Sequence, residues 1–156
     1  MSFTIKSTSF NDGEGIPVKY TCDGKGISPS LEWEGFPNST KSFVLILDDP
    51  DAVLCTWNHW IIYNIPNNVT NLTENINALP YTTKSGLNSW HKESYIAPCP
   101  LKGEHRYFFK LFALNTLLEE QEGISRINIE KLISPYIIDE AVLMGRYERK
   151  KLKLKQ

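Results

Sequence analysis

The sequence predicts a mainly β protein, a β-sandwich with a few short helices. Three stretches carry that expectation. "KSFVLILDD", "HWIIYNIP" and "HRYFFKLFAL" are short, rich in aromatic and β-branched residues, and bounded by Asp, Pro, Asn or Gly, as strands usually are. "SPSLEWEGFP" alternates in the same way around Leu31 and Trp33. Nine prolines and nine glycines punctuate the chain and favour short elements. Only "INIEKLISPYI" reads as helical, because Ile129, Leu132 and Ile133 recur at helical spacing and share one face. "DEAVLMGRYER" then returns to period two. With no internal repeat and no long linker, residues 1–156 read as one domain closed by a basic tail over 146–156.

Composition excludes several classes. A chain of 156 residues can bury roughly 68–70% of its unfolded surface, enough for a core without staples. The formal net charge of -1 argues against nucleic-acid binding by the chain as a whole. The charge is uneven, since "RYERKKLKLKQ" at the end holds six Lys or Arg and one Glu, giving +5 and leaving -6 for the remainder. Such a tail reads as a solvated terminus. The start "MSFTIKSTSF" has no apolar core of a signal peptide, and the longest apolar run, Phe43 to Leu47, is five residues. Neither a secretory signal nor a membrane span is expected, and the expected location is cytoplasmic. Cys22, Cys55 and Cys99 form an odd set without CxxC spacing, which suits three small, buried, reduced thiols better than a disulfide framework or a structural zinc site. The sequons at Asn38, Asn68 and Asn71 are then chance matches.

Period two gathers the polar residues. Successive side chains of a strand point to opposite faces, so His105, Tyr107, Phe109, Leu111 and Ala113 share one face of "HRYFFKLFAL". The same rule groups Trp57, His59, Ile61 and Tyr63, and places Asp49 with Phe43, Leu45 and Leu47. Each polar residue continues an apolar face at a strand end. If those ends converge, Asp49, His59, His105 and Tyr107 line one cavity walled by aromatic rings. Taken singly, a histidine at a strand end or an Asp-Pro-Asp turn has an ordinary structural explanation, the latter as a cap for backbone amides.

"YTCDGKGISPSLEW", "LDDPDA", "HW", "APCP", "GEHRY" and "LMGRYER" follow the order and spacing of the phosphatidylethanolamine-binding protein family, and the chain resembles its bacterial branch, similar to Raf kinase inhibitor protein, over nearly its whole length. The resemblance implies an antiparallel sandwich with a large central sheet, a smaller second sheet and an anion pocket at one edge. Carried over by motif, the ligand-binding residues are Asp49, Pro50, Asp51, His59, Pro98, His105 and Tyr107, with Trp57 and Ala97 beside them. Three positions depart from the family pattern. Val53 stands where DPDAP has its second proline, Ala97 replaces a glycine before the PCP, and His91 replaces a frequent glycine. A methyl group at Ala97 is expected to narrow the pocket mouth.

The chemistry fits a phosphate-like oxyanion, because two imidazoles and a phenol supply hydrogen bonds. Asp49 or Asp51 either fixes an imidazole tautomer or stays free for an ammonium group, to which Trp57, Trp60 and Tyr107 add cation–π attraction. The function expected is therefore non-catalytic binding of phosphate or a phosphorylated head group such as phosphorylethanolamine, with no cofactor. The resemblance alone suggests, as the main alternative, inhibition of a protein kinase or protease through the pocket rim. A lesser alternative is a metal-dependent enzyme using Asp49, His59 and His105. Nucleophilic hydrolysis through Cys99 or a serine lacks an elbow motif. The partners considered are a small anionic ligand, a kinase or protease and a second copy in a homodimer, with neither nucleic acid nor integral membrane association.

Overall fold

The computed structural model describes residues 1–119 and 123–150, so the last six positions of the basic tail lie outside the described residues. Two antiparallel sheets face each other. The smaller has the order β1 (Thr4–Lys6), β2 (Leu31–Glu34), β5 (Asn71–Leu72). The larger has the order β6 (Lys84–Ser85), β4 (Trp57–Pro66), β3 (Ser42–Asp49), β7 (His105–Leu114), β8 (Ile137–Tyr147). One α-helix, α1 (Arg126–Ile133), and two 3-10 turns, Val18–Tyr20 and Ser134–Tyr136, complete the described elements. The fold is thus mainly β, as the strand signals predict. No helix among the described residues is long and apolar enough to cross a membrane.

The continuous apolar run of β3 has a physical reason: both of its faces are buried. Phe43, Leu45 and Leu47 join Ile5, Leu31, Trp33 and Leu72 of the small sheet in the main core, together with Tyr107, Phe109 and Leu111 of β7. Val44 and Ile46 point the other way, into a second cluster closed by Ile129 and Ile133 of α1. Ser125 caps that helix by accepting from the Asn128 amide, and Leu132 packs at the cluster edge.

Two register shifts interrupt the β3–β4 ladder. Leu47 pairs with Trp60 but Asp48 pairs with Asn58, so His59 is the extra residue of a bulge. The second lies at Asn64, which adopts a left-handed φ of 56° and exchanges side-chain hydrogen bonds with the backbone of Leu118. The bulge at His59 corrects the period-two grouping along β4. Trp57 and His59 stay on the side of Tyr107, whereas Ile61 and Tyr63 fall on the opposite face with α1.

The cysteine expectation is also corrected. Cys22 and Cys99 form a disulfide across a sequence separation of 77, a closure worth roughly 4–5 kcal/mol in the chain-entropy account. An odd count concealed it, because the unpaired member is Cys55, which is exposed rather than buried. Cys22 is exposed as well, and Cys99 is half-buried. Reduced thiols therefore give no support to the cytoplasmic expectation.

Candidate functional site

Three strand ends meet because β3 runs antiparallel to both of its neighbours. Its last residue, Asp49, faces Trp57 in register on β4 and reaches His105 at the start of β7. Asp49, Asp51, Trp57, His59, His105 and Tyr107 line one cavity of about 610 Å³. Pro50, Ala97 and Pro98 do not line it. Pro50 is exposed in the turn, and Pro98 is buried with its carbonyl accepting the Cys22 amide. Ala97 turns toward Gly26, where an added Cβ would lie 3.5 Å from the Ala97 methyl, so that methyl does not narrow the mouth. Cys99, Pro100 and Leu101 supply the wall from the same segment.

Both carboxylates are committed within the protein. Asp49 Oδ2 accepts from His105 Nδ1 at 2.7 Å, and its Oδ1 accepts the Asp51 amide at 2.8 Å. That hydrogen bond assigns the His105 tautomer, and Nε2 is the nitrogen left for a ligand. Arg106 grips Asp51 with Nε, Nη2 and its backbone N–H, each at 2.9 Å. Those hydrogen bonds hold the Asp51 carboxyl at about 2, well below the usual range.

His59 and Tyr107 complete the polar set. His59 Nδ1 donates to the Ile96 carbonyl at 2.7 Å, and burial lowers the pKa of the ring, so it is held neutral with Nε2 as its free nitrogen. Burial first, then the Asp49 charge, push the Tyr107 phenol up, so it remains a donor at any ordinary pH. Its hydroxyl is buried beside the Asp49 carboxylate and the Cys99 backbone but makes no well-formed hydrogen bond to either. The Tyr107 ring meets His59 edge-on at 5.4 Å and stacks beside His105 at 6.4 Å between centroids.

Trp90 and Lys102 were missed by sequence reasoning, since both stand on an irregular segment where no periodicity marks a face. Trp90 packs on His59 at 4.8 Å and on Trp57 at 5.5 Å. The neighbouring departure was its signal: His91 has a left-handed φ of 59°, the conformation glycine adopts freely. Trp60, by contrast, belongs to the main core, where it packs against Tyr95. Val53 does line the mouth. Beside it Leu54 is 98% exposed, and Leu101 across the cavity is 88% exposed. No group of three or more metal-ligating side chains suited to a metal ion occurs among the described residues. Asp49 and His105 are instead bonded to each other, and His59 to backbone.

Comparison with known proteins bears on the family and the fold. The family model described as phosphatidylethanolamine-binding protein matches residues 6–148. A UPF0098 protein of Methanothermobacter thermautotrophicus is 44% identical over 93% of this chain and 98% of the relative. A UPF0098 protein of Aquifex aeolicus is 45% identical over 93% of this chain and 88% of its own length. Two crystal structures share the fold. The phosphatidylethanolamine-binding protein homologue CT736 of Chlamydia trachomatis has a TM-score of 0.91 and 37% identity, covering 96% of this chain and 99% of that one. YbcL of Escherichia coli, described as a member of the mammalian family, has a TM-score of 0.90 and 30% identity, covering 96% and 100%.

Proposed function

We propose, from the premise that this chain belongs to the phosphatidylethanolamine-binding protein family, that the cavity at the end of β3 binds a phosphate group, free or as a phosphomonoester, without catalysing a reaction on it. The observation that carries this reading is the convergence of three polar groups on one cavity: the His105 and His59 rings, each with Nδ1 committed within the protein, and the buried Tyr107 phenol, kept protonated. An anionic oxygen accepting from such donors makes charge-assisted hydrogen bonds, the stronger class. His105 Nε2 and His59 Nε2 stand on either side. His59 is held neutral as an acceptor, so its partner in the complex is a proton, brought by the phosphate hydroxyl or taken from solvent on binding.

The head group beyond phosphate is less favoured. Asp49 already accepts from His105 and Asp51, and Asp51 is held by Arg106, which leaves no free carboxylate for an ammonium group. Trp57 and Trp90 alone offer cation–π attraction, worth about 0.5–2 kcal/mol. Phosphorylethanolamine is therefore expected to bind within about thirtyfold of inorganic phosphate. A rim reading, in which a kinase or protease docks on the mouth, has one observation in its favour: the exposed Val53, Leu54 and Leu101.

Calorimetric titration of inorganic phosphate into wild type and His105→Ala is the test. The expected result is saturable binding in wild type and at least tenfold weaker binding in the variant. Equal affinity in a folded His105→Ala protein would remove the anion site.

A further inference from the structure

One of the three cysteines lines the cavity. Cys99 lines its wall, Cys22 is bonded to Cys99, and Cys55 is exposed in the turn that carries Asp51 and Val53 to the opposite rim. The wall itself is residues 86–104, an irregular segment between β6 and β7. Its grip on His59 is specific. The Ile96 carbonyl accepts from His59 Nδ1 and the Ile96 amide donates to the His59 carbonyl at 3.1 Å, while Trp90 of the same segment covers the ring.

Few other bonds hold the stretch from Tyr95 to Cys99. The Tyr95 hydroxyl donates to the Tyr20 carbonyl at 2.8 Å, and the Cys22 amide donates to the Pro98 carbonyl at 3.0 Å. The disulfide is the covalent member of this set, three residues beyond Ile96. Its other end sits in a turn fixed by Asp23, which accepts from Tyr147 and from Arg149. Cys22 is open to solvent, so a small or protein-borne thiol can reach it.

We infer that the Cys22–Cys99 bond is a redox latch that positions His59: oxidised, it holds the Ile96 carbonyl against Nδ1 and fixes the tautomer; reduced, it frees the wall and lowers the affinity of the cavity for its anion. The second half rests on the phosphate-binding reading above, whereas the first does not. The reductant is a dithiol. One of its thiolates attacks Cys22 Sγ, the Cys22–Cys99 bond breaks, and Cys99 leaves as a thiolate that takes a proton. The second thiol of the reductant then displaces Cys22, which is protonated in turn. The protein gains two electrons and two protons, and the dithiol becomes a disulfide. His59 is the residue that responds, because Nδ1–H loses a fixed acceptor and the neutral ring can exchange between its two tautomers.

Ring-nitrogen NMR of histidine-labelled Cys55→Ser protein, before and after treatment with dithiothreitol, tests the latch without any ligand. The oxidised protein is expected to show His59 as a single Nδ1–H tautomer, the reduced protein a mixture, and reoxidation is expected to restore the first spectrum. Inorganic phosphate should bind at least fivefold more weakly to the reduced form, and Cys22→Ser/Cys99→Ser should match the reduced form with no response to dithiothreitol. An unchanged His59 spectrum in reduced protein would overturn the latch. So would loss of dispersed amide signals throughout the chain on reduction, because the bond would then hold the whole fold rather than this wall. If oxidised protein fails to bind phosphate, the anion reading falls while the His59 spectrum still decides the latch.

Discussion

Asp48 and Asp49 are neighbours on β3 with 0% and 3% of their surface exposed, yet the two faces of the strand treat them differently. Asp48 points toward α1 and is saturated with cationic and amide donors. Arg126 reaches it at 2.9 Å through Nη2, Lys110 at 3.3 Å, and the Asn58 side-chain amide at 3.0 Å. These partners outweigh the cost of burial and keep its carboxyl below the usual range. Asp49 points to the cavity and accepts from an imidazole and one amide of its own turn, with the Tyr107 phenol beside it. The difference separates a charge used to fasten a helix from a charge used to orient a group that still has a bond to offer. Burial alone does not mark a site; an unfinished hydrogen-bond set opening on a cavity does.

The largest expected effect falls on the Asp48 side. Arg126→Ala removes the chief partner of a buried carboxylate, and such losses run to about 3–5 kcal/mol. Urea denaturation should show a loss of that size, while the folded variant keeps phosphate affinity within about twofold. A loss under about 1 kcal/mol would mean that Asp48 is not fastening α1. On the Asp49 side, Tyr107→Phe should do the reverse. Removing a buried hydroxyl that makes no well-formed hydrogen bond changes stability by less than about 1 kcal/mol, whereas phosphate binding weakens about tenfold, or ~1.4 kcal/mol.

His59 sharpens the comparison through pH. Its pKa is lowered on folding, so the unfolded chain takes up a proton first as pH falls below about 6.5. Its contribution to stability is complete above that value and declines on acidification, with a slope of at most about 1.4 kcal/mol per pH unit, until the folded ring protonates in turn. Denaturation midpoints from pH 7.5 to 5 should show this decline in wild type and a flatter profile in His59→Asn. The smallest effect belongs to Asp51 and Arg106, whose side chains are 27% and 50% exposed. Arg106→Ala should cost less than about 1 kcal/mol near neutrality and less still in high salt. Because the folded Asp51 carboxyl lies at about 2, the contribution of the pair is present above the unfolded value of about 3.9 and is lost as pH falls through about 2. Acid titration of wild type against this variant should diverge only in that window.

Much of the geometry was legible because strand chemistry is local. The apolar faces of β3 and β7 led without interruption to Asp49 and to His105 and Tyr107, and an antiparallel order brings those ends together whatever the loops do. The His59 bulge was not legible, since period two carries no mark of an inserted residue. The grouping with Trp57 survived only because the faces change over after His59, the extra residue of the bulge, so that Ile61 and Tyr63 alone leave it. Trp90, Lys102 and the Ile96 carbonyl lie on a segment whose path is set by tertiary bonds and by the Cys22–Cys99 bridge. Nothing in an odd set of cysteines identifies the pair that meets. Asp48 and Asp49 were indistinguishable as letters, and the partners that separate them come from Arg126, 78 residues away from the one, and His105, 56 residues from the other.

A phosphate group is expected to complete the hydrogen bonds left open on the Asp49 face. A crystal of the oxidised protein grown with inorganic phosphate measures this most directly. The account predicts tetrahedral density in the cavity, with one oxygen within hydrogen-bond distance of Tyr107 Oη and another facing His105 Nε2, and the Asp49–His105 bond retained. A cavity holding only water at that phosphate concentration, or phosphate seated solely in the neighbouring depression beside Arg149 and Lys150, would contradict it.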